Sequence, residues 1–135
     1  MSASWALQQA VYATLSVSSD VIAVLGDPPR IYDAVPRDTA FPYAAIGDGS
    51  EADWSTATEP GSEHELAVHV WSRAGGHKEC KEIAEAIRDA LDGASLSVTG
   101  QTLIDIRYLD TDFARAADGE TYRASLRFRA VTEPD

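Results

Sequence analysis

The chain has 135 residues, 44% of them hydrophobic and 24% charged, the size and balance of one globular domain built on one core. No apolar run approaches the roughly 20 residues that a membrane-crossing helix needs, and the single cysteine, Cys80, leaves no intrachain disulfide. Eleven lysines and arginines against 22 acidic residues give a net charge of −11, which argues against DNA as an adhesive partner because phosphate binding needs clustered cations.

Residues 4–16 are expected to form a helix, with Ser4 as its cap and Leu7, Val11, Thr14 and Leu15 at helical spacing. The opening stretch MSASWALQQAVYATL lacks the cationic start and continuous apolar run of a secretory signal, so synthesis and residence in the cytoplasm are expected. A shorter helix follows, with Ser19 and Asp20 at its start, Val21, Ile22, Val24 and Leu25 as apolar surface, and Gly26 before Asp27-Pro28-Pro29 as its stop. Residues 30–49, RIYDAVPRDTAFPYAAIGDG, read as a shaped connector: Pro36 and Pro42 fix their own dihedrals and push Val35 and Phe41 toward extended geometry. Tyr32 and Phe41 are its expected buried anchors, with Arg30, Asp33 and Arg37 on its surface.

Tyr43 to Trp54 is the first expected strand, made irregular by Gly47 and Gly49, which predict a bulge or bend. The connection DGSEADWSTATEPGSE, residues 48–63, holds five acidic residues and no basic one, and is expected to project into solvent or toward a partner. In ELAVHVWSR, Leu66, Val68 and Val70 point to the core and Glu65, Ala67, His69, Trp71 and Arg73 point away. A helix from about His77 to Asp92 carries the apolar stripe Cys80, Ile83, Ala84, Ile87 and Leu91 and ends at Gly93. Two strands close the chain. Ile104, Ile106 and Tyr108 alternate with Asp105 and Arg107, Ala117-Asp118-Gly119 marks a hairpin turn, and Ala124, Leu126, Phe128 and Ala130 alternate with Arg123, Ser125, Arg127 and Arg129.

This order, α-β-β-α-β-β, predicts an α+β domain over residues 1–135: a four-stranded, mostly antiparallel sheet with helices packed on one face. The other face carries His69, Trp71 and the row Arg123, Arg127 and Arg129, with no helix left to cover it.

Motifs for catalysis are missing. His64, His69, His77 and Cys80 lack the paired close spacing of a zinc site, and Cys80 falls in an apolar stripe where a free thiol packs as a small hydrophobe. The glycines of GDGS and RAGGHKE form no phosphate loop, no serine sits in a Gly-x-Ser-x-Gly elbow, and Glu82 and Glu85 lie among Lys78, Lys81 and Arg88 on a solvated helix face. No cofactor or metal is expected. The candidate contact residues are Asp48, Glu51, Asp53, Trp54 and Glu59 of the acidic connection, with His69, Trp71, Arg73, Arg123, Arg127 and Arg129 of the uncovered face. The plain alternative for the arginines is a solvated strand face answered by Asp105, Asp110 and Asp112 of the preceding strand.

Several stretches together resemble a known family: LQQAVYATL, RIYDAVPRDTAFPYAAIGD, HVWSRAGGHKECKEIAEAIRDAL and YRASLRFRAVTE, spread over about residues 5–133. The most specific pieces are Arg30-Ile31-Tyr32-Asp33, Val35-Pro36, Phe41-Pro42-Tyr43, Val70-Trp71-Ser72-Arg73 and Leu126-Arg127-Phe128-Arg129. They closely resemble the tail-completion or tail-terminator proteins of long-tailed bacteriophages, including the branch found in phage-like gene transfer agents of alphaproteobacteria.

The resemblance implies a structural, non-enzymatic protein of the particle's tail–neck junction, assembled in the bacterial cytoplasm. Such a protein forms a homo-hexameric ring that caps the head-proximal end of the tail tube, stops its polymerisation and meets the neck or stopper protein. DNA passes through its central channel without specific binding. In a head-to-tail ring each subunit needs two different complementary patches, for which the acidic connection and the arginine-bearing face are the expected halves. A ring of such acidic chains would also bias its lumen against phosphate contacts. The competing readings are a head-completion or stopper protein of the same neck, and a small-ligand-binding α+β domain using the sheet face around His69 and Trp71.

Overall fold

The computed structural model describes residues 1–135. Two helices open the chain, α1 over Ala3–Val17 and α2 over Ser19–Leu25. Their caps lie one or two residues ahead of the expected ones. The Ser2 hydroxyl accepts the Trp5 N–H at 3.1 Å, where Ser4 was expected, and the Ser18 hydroxyl accepts the Val21 N–H at 3.4 Å, where Ser19 was. Asp20 does sit in the first turn of α2, where the helix dipole favours an anion.

The remaining elements are β1 (Ile31–Tyr32), β2 (Tyr43–Asp53), β3 (Ser62–Ser72), α3 (Lys78–Leu91), β4 (Gln101–Arg115) and β5 (Tyr122–Pro134). They make one sheet in the order β1-β2-β3-β5-β4. The α+β class holds, but the sheet has five strands rather than the expected four. The addition is β1, which pairs parallel to β2 through Ile31↔Ala44 and Tyr32↔Ala45. Two residues are too few to display a period of two, so this edge strand is hidden in what reads as a connector. The same segment corrects the expected anchors: Ile31 is the buried residue, whereas Tyr32 and Phe41 are only half-buried.

The other four strands pair antiparallel throughout. β2 and β3 extend into the acidic connection as far as Asp53↔Ser62, so only residues 54–61 remain as a loop at the tip of a long hairpin. Every residue from Gly47 to Pro60 is exposed. The predicted irregularity is present as a register shift between Ile46 and Gly49. Here Gly47 takes a φ of 131°, a backbone conformation that residues with a Cβ rarely adopt.

One face of the sheet is covered by all three helices. Val68, Val70, Ala124, Leu126, Phe128, Ala130, Ile106, Ala44 and Ile46 meet Leu7, Val11, Leu15, Val21, Leu25, Ile83, Ile87 and Leu91 in a single core cluster. Phe128 lies at its centre, fully buried, with its ring edge-on to Tyr108 at 5.8 Å. Two bulges in β4, between Leu103 and Asp105 and between Tyr108 and Asp110, break the simple alternation predicted for that strand. Ile104 was expected beside Ile106 and Tyr108; the first bulge leaves it 49% exposed instead. The outer backbone edge of β4 is closed at its middle, where the Gly93 N–H donates to the Ile106 carbonyl at 2.8 Å and Asp92 Oδ1 accepts the Tyr108 N–H at 2.9 Å.

Candidate functional site

The uncovered face of the sheet displays three groups of side chains along its length. At one end lies an aromatic cluster. The register Tyr43↔Trp71 stacks their rings at 5.2 Å, Phe41 packs on Tyr43 at 5.0 Å, and His69 lies 5.8 Å from Trp71. His69 is held at both ring nitrogens, 2.8 Å from Ser125 Oγ and 2.8 Å from Asp48 Oδ2. Arg73 stacks over Phe41 at 4.4 Å and donates from Nε to Thr121 Oγ1 at 2.9 Å, with Nη1 3.0 Å from Glu120. Arg123 lies across from Trp71, exposed.

Asp118 organises the adjoining β4–β5 turn. Its carboxylate accepts the Thr121 hydroxyl at 2.7 Å and the backbone N–H groups of Thr121 and Glu120 at 2.8 and 2.9 Å. These bonds, the Thr121 hydroxyl foremost, pull its pKa down to about 2.

The middle and far end of the face are charged, and the charges answer one another. Arg127 donates to both Asp110 oxygens, at 2.9 and 2.6 Å, and also to Glu65. The hydrogen bonds and field of Asp110 raise the Arg127 pKa, and Arg127 in turn lowers that of Asp110. Arg129 reaches Glu63 with Nε at 3.1 Å and Nη2 at 2.7 Å, its guanidinium 5.9 Å from the exposed Trp54 ring. Surface pairs of this kind add little stability; they fix side-chain positions.

The acidic hairpin is engaged in the same way. Asp48 binds His69, Glu51 lies 3.8 Å from His64, and Asp53 accepts from the Ser55 N–H and hydroxyl. The structure thus brings together Asp48 with His69, and Trp54 with Arg129. It keeps Glu59, at the hairpin tip, apart from the other candidate residues. Sequence reasoning omitted Phe41 and Tyr43 from the site because only the β2–β3 register places them beside Trp71. Glu65 was likewise seen only as an outward residue, since its pairing with Arg127 depends on β5 lying between β3 and β4 in the sheet, with α3 and all of β4 intervening in sequence.

Beneath the hairpin, His64 is buried. Its Nε2 lies 2.9 Å from Thr132 Oγ1, and burial lowers its pKa from 6.5, an effect that Glu51 partly offsets. Because the folded pKa is the lower one, the unfolded chain binds the proton more tightly. Stability is therefore expected to fall as pH drops below about 6.5 and to go on falling until the folded pKa is passed. Urea midpoints measured across that range should show this slope in the wild type and lose part of it in His64→Gln. An unchanged slope in the variant assigns the dependence to other groups.

Cys80 is fully buried and donates to the Tyr122 carbonyl at 3.3 Å; burial and the neighbouring Glu79 carboxylate push its pKa up to about 11, the setting of a packing residue. No three His, Cys, Asp or Glu side chains converge as a metal site, and no helix is long and apolar enough to cross a membrane. A cleft of about 140 Å³ between α1 and β2, lined by Leu7, Gln8, Ile46 and His64, is smaller than the general run of ligand sites. Larger openings of about 520 and 480 Å³ lie away from the aromatic cluster, between α3 and β4 and at residues 96–103.

Comparison with known proteins gives one coherent picture. The family model described as "Tail completion protein gp17" matches residues 9–133. A chain in the solved structure described as "Virion of native gene transfer agent (GTA) particle" is 33% identical, with 94% of each chain covered and a TM-score of 0.87. The gp17 protein of bacteriophage SPP1 is 23% identical, with 95% of this chain and 89% of that chain covered and a TM-score of 0.62, a likeness of fold. No curated protein matches the sequence.

Proposed function

Because the chain belongs to the tail completion protein gp17 family, we propose that it is a non-enzymatic tail terminator of a phage-like particle. In this reading six copies form a ring on the head-proximal end of the tail tube, halt its growth and join it to the neck, while DNA passes through the central channel. The supporting observation is the 33% identity, over 94% of both chains, to a component of a native gene transfer agent virion.

The physical chemistry of the surface is consistent with that role. Arg127 and Arg129 of the open face are neutralised by Asp110 and Glu63, which leaves little free cationic surface for phosphate and a face suited to protein contact. The net charge of −11 disfavours adhesion of passing DNA, since few phosphate contacts can form.

Negative-stain microscopy of particles from a strain lacking the chain tests the reading. Tails of uncontrolled length, or tails detached from DNA-filled heads, are the expected result, and normal joined particles would overturn it. Purified protein is also expected to cap isolated tail tubes. Binding only to portal-attached heads would instead identify a head-completion or stopper protein.

A further inference from the structure

Most charges of the hairpin and the open face are satisfied within the chain; of those that are not, Glu59 and Arg123 lie far apart on it, while the exposed Asp112, paired in register with Ser125, lies diagonally across from Arg123 without bonding to it. Of the acidic residues in 48–63, Asp48, Glu51, Asp53 and Glu63 each face a partner, whereas the Glu59 side chain has none. Of the arginine row, Arg127 and Arg129 are paired, whereas Arg123 has no hydrogen bond, ion pair or aromatic ring against it. Glu59 lies beyond the Asp53↔Ser62 end of the hairpin, and Arg123 lies opposite Trp71 at the other end of β3. Nine residues of extended strand put them roughly 30 Å apart, out of reach within one copy.

We infer that the hairpin tip of one copy docks on the aromatic cluster of the next, with Glu59 meeting Arg123 beside Trp71 and Tyr43. The inference rests on the ring reading, because a heterologous ring contact joins two different patches of the same chain. The receiving patch offers the stacked rings of Tyr43 and Trp71 as a half-buried apolar floor beside Arg123, whose guanidinium makes no bond within the chain. The incoming tip carries no lysine or arginine between residues 48 and 63, so nothing in it repels that guanidinium.

The tip is also held in shape. The Thr56 N–H donates to the Glu59 carbonyl at 2.7 Å, the Glu59 N–H to Thr56 Oγ1 at 3.0 Å, and the Gly61 N–H to Ser55 Oγ at 3.2 Å. Glu59 is thereby presented without a folding step.

A charge exchange tests the contact. Glu59→Arg and Arg123→Glu are each expected to raise the concentration for half-assembly by about tenfold or more, read by light scattering and by capping of tail tubes. The double variant, which restores opposite charges, is expected to recover assembly. Because neither side chain bonds within its own chain, circular dichroism and melting temperature should be unchanged in all three. Single variants that assemble like the wild type, or a double variant that fails to recover, would overturn the contact while leaving the ring intact. A wild-type chain that stays monomeric both alone and on tubes would overturn the ring and this contact with it.

Discussion

Phe128→Ala is expected to destabilise the protein by about 3–5 kcal/mol, the general cost of removing a large aromatic side chain from a core that does not fully collapse. Phe128 is fully buried on β5, a strand flanked by β3 and β4, where its ring meets Tyr108 edge-on and faces the helices. Domains of this size hold only about 5–15 kcal/mol in total, so the loss is a large share of the whole. Thermal unfolding should show a midpoint lowered by roughly 10–20 °C. A shift of only one or two degrees would mean that Phe128 is not the centre of the core.

Gly49→Ala is the second large effect, and its cause is local. A Cβ at Gly49 would lie 2.3 Å from the Glu65 carbonyl oxygen and 3.1 Å from the Leu66 Cα, both backbone atoms of the paired strand. A backbone cannot swing aside as a flexible side chain can, so β2 must part from β3 at the register shift. A cost of about 3 kcal/mol is expected, at the upper end of ordinary overpacking. Its signature differs from that of Phe128→Ala. Amide exchange should quicken first in the hairpin from Gly49 to Leu66, ahead of α3 and β5. Uniform protection equal to the wild type would show that the bulge absorbs the methyl group.

The contrast between these two sites explains what was legible in the sequence. β3 and β5 could be read directly because Leu66, Val68 and Val70, and Ala124, Leu126, Phe128 and Ala130, alternate with polar residues on faces of opposite character. Helix α3 was legible for the same reason, its apolar stripe matching the buried Cys80, Ile83, Ala84, Ile87 and Leu91. Gly47 and Gly49 announced an irregularity, but the close approach of the Glu65 carbonyl depends on pairing and is not a property of β2 alone.

Non-local features stayed hidden. β1 owes its existence to two residues of parallel pairing with β2. The outward turn of Ile104 depends on a bulge measured against β5. Asp110, expected as one answer to the arginine row from hairpin logic, does bind Arg127, whereas Glu65 reaches that guanidinium through a strand pairing that spans 62 positions of sequence. In the site, residue types were visible in advance, but which charges would be left over became visible only after the pairs were assigned.

The local bonding of residues 54–61 bears on geometry as well as on contact. A tip tied by Thr56, Ser55 and Gly61 onto a paired β2–β3 stem behaves as a stiff arm rather than a tether. In an assembly joined through such an arm, the angle between arm and sheet sets the rotation from each copy to the next. A rotation that divides a full turn closes the circle, and one that does not winds into an open helix. In the proposed ring, the bend at Ile46–Gly49 would then set the number of copies, and a substitution there is expected to change ring size while leaving every contacting side chain unchanged.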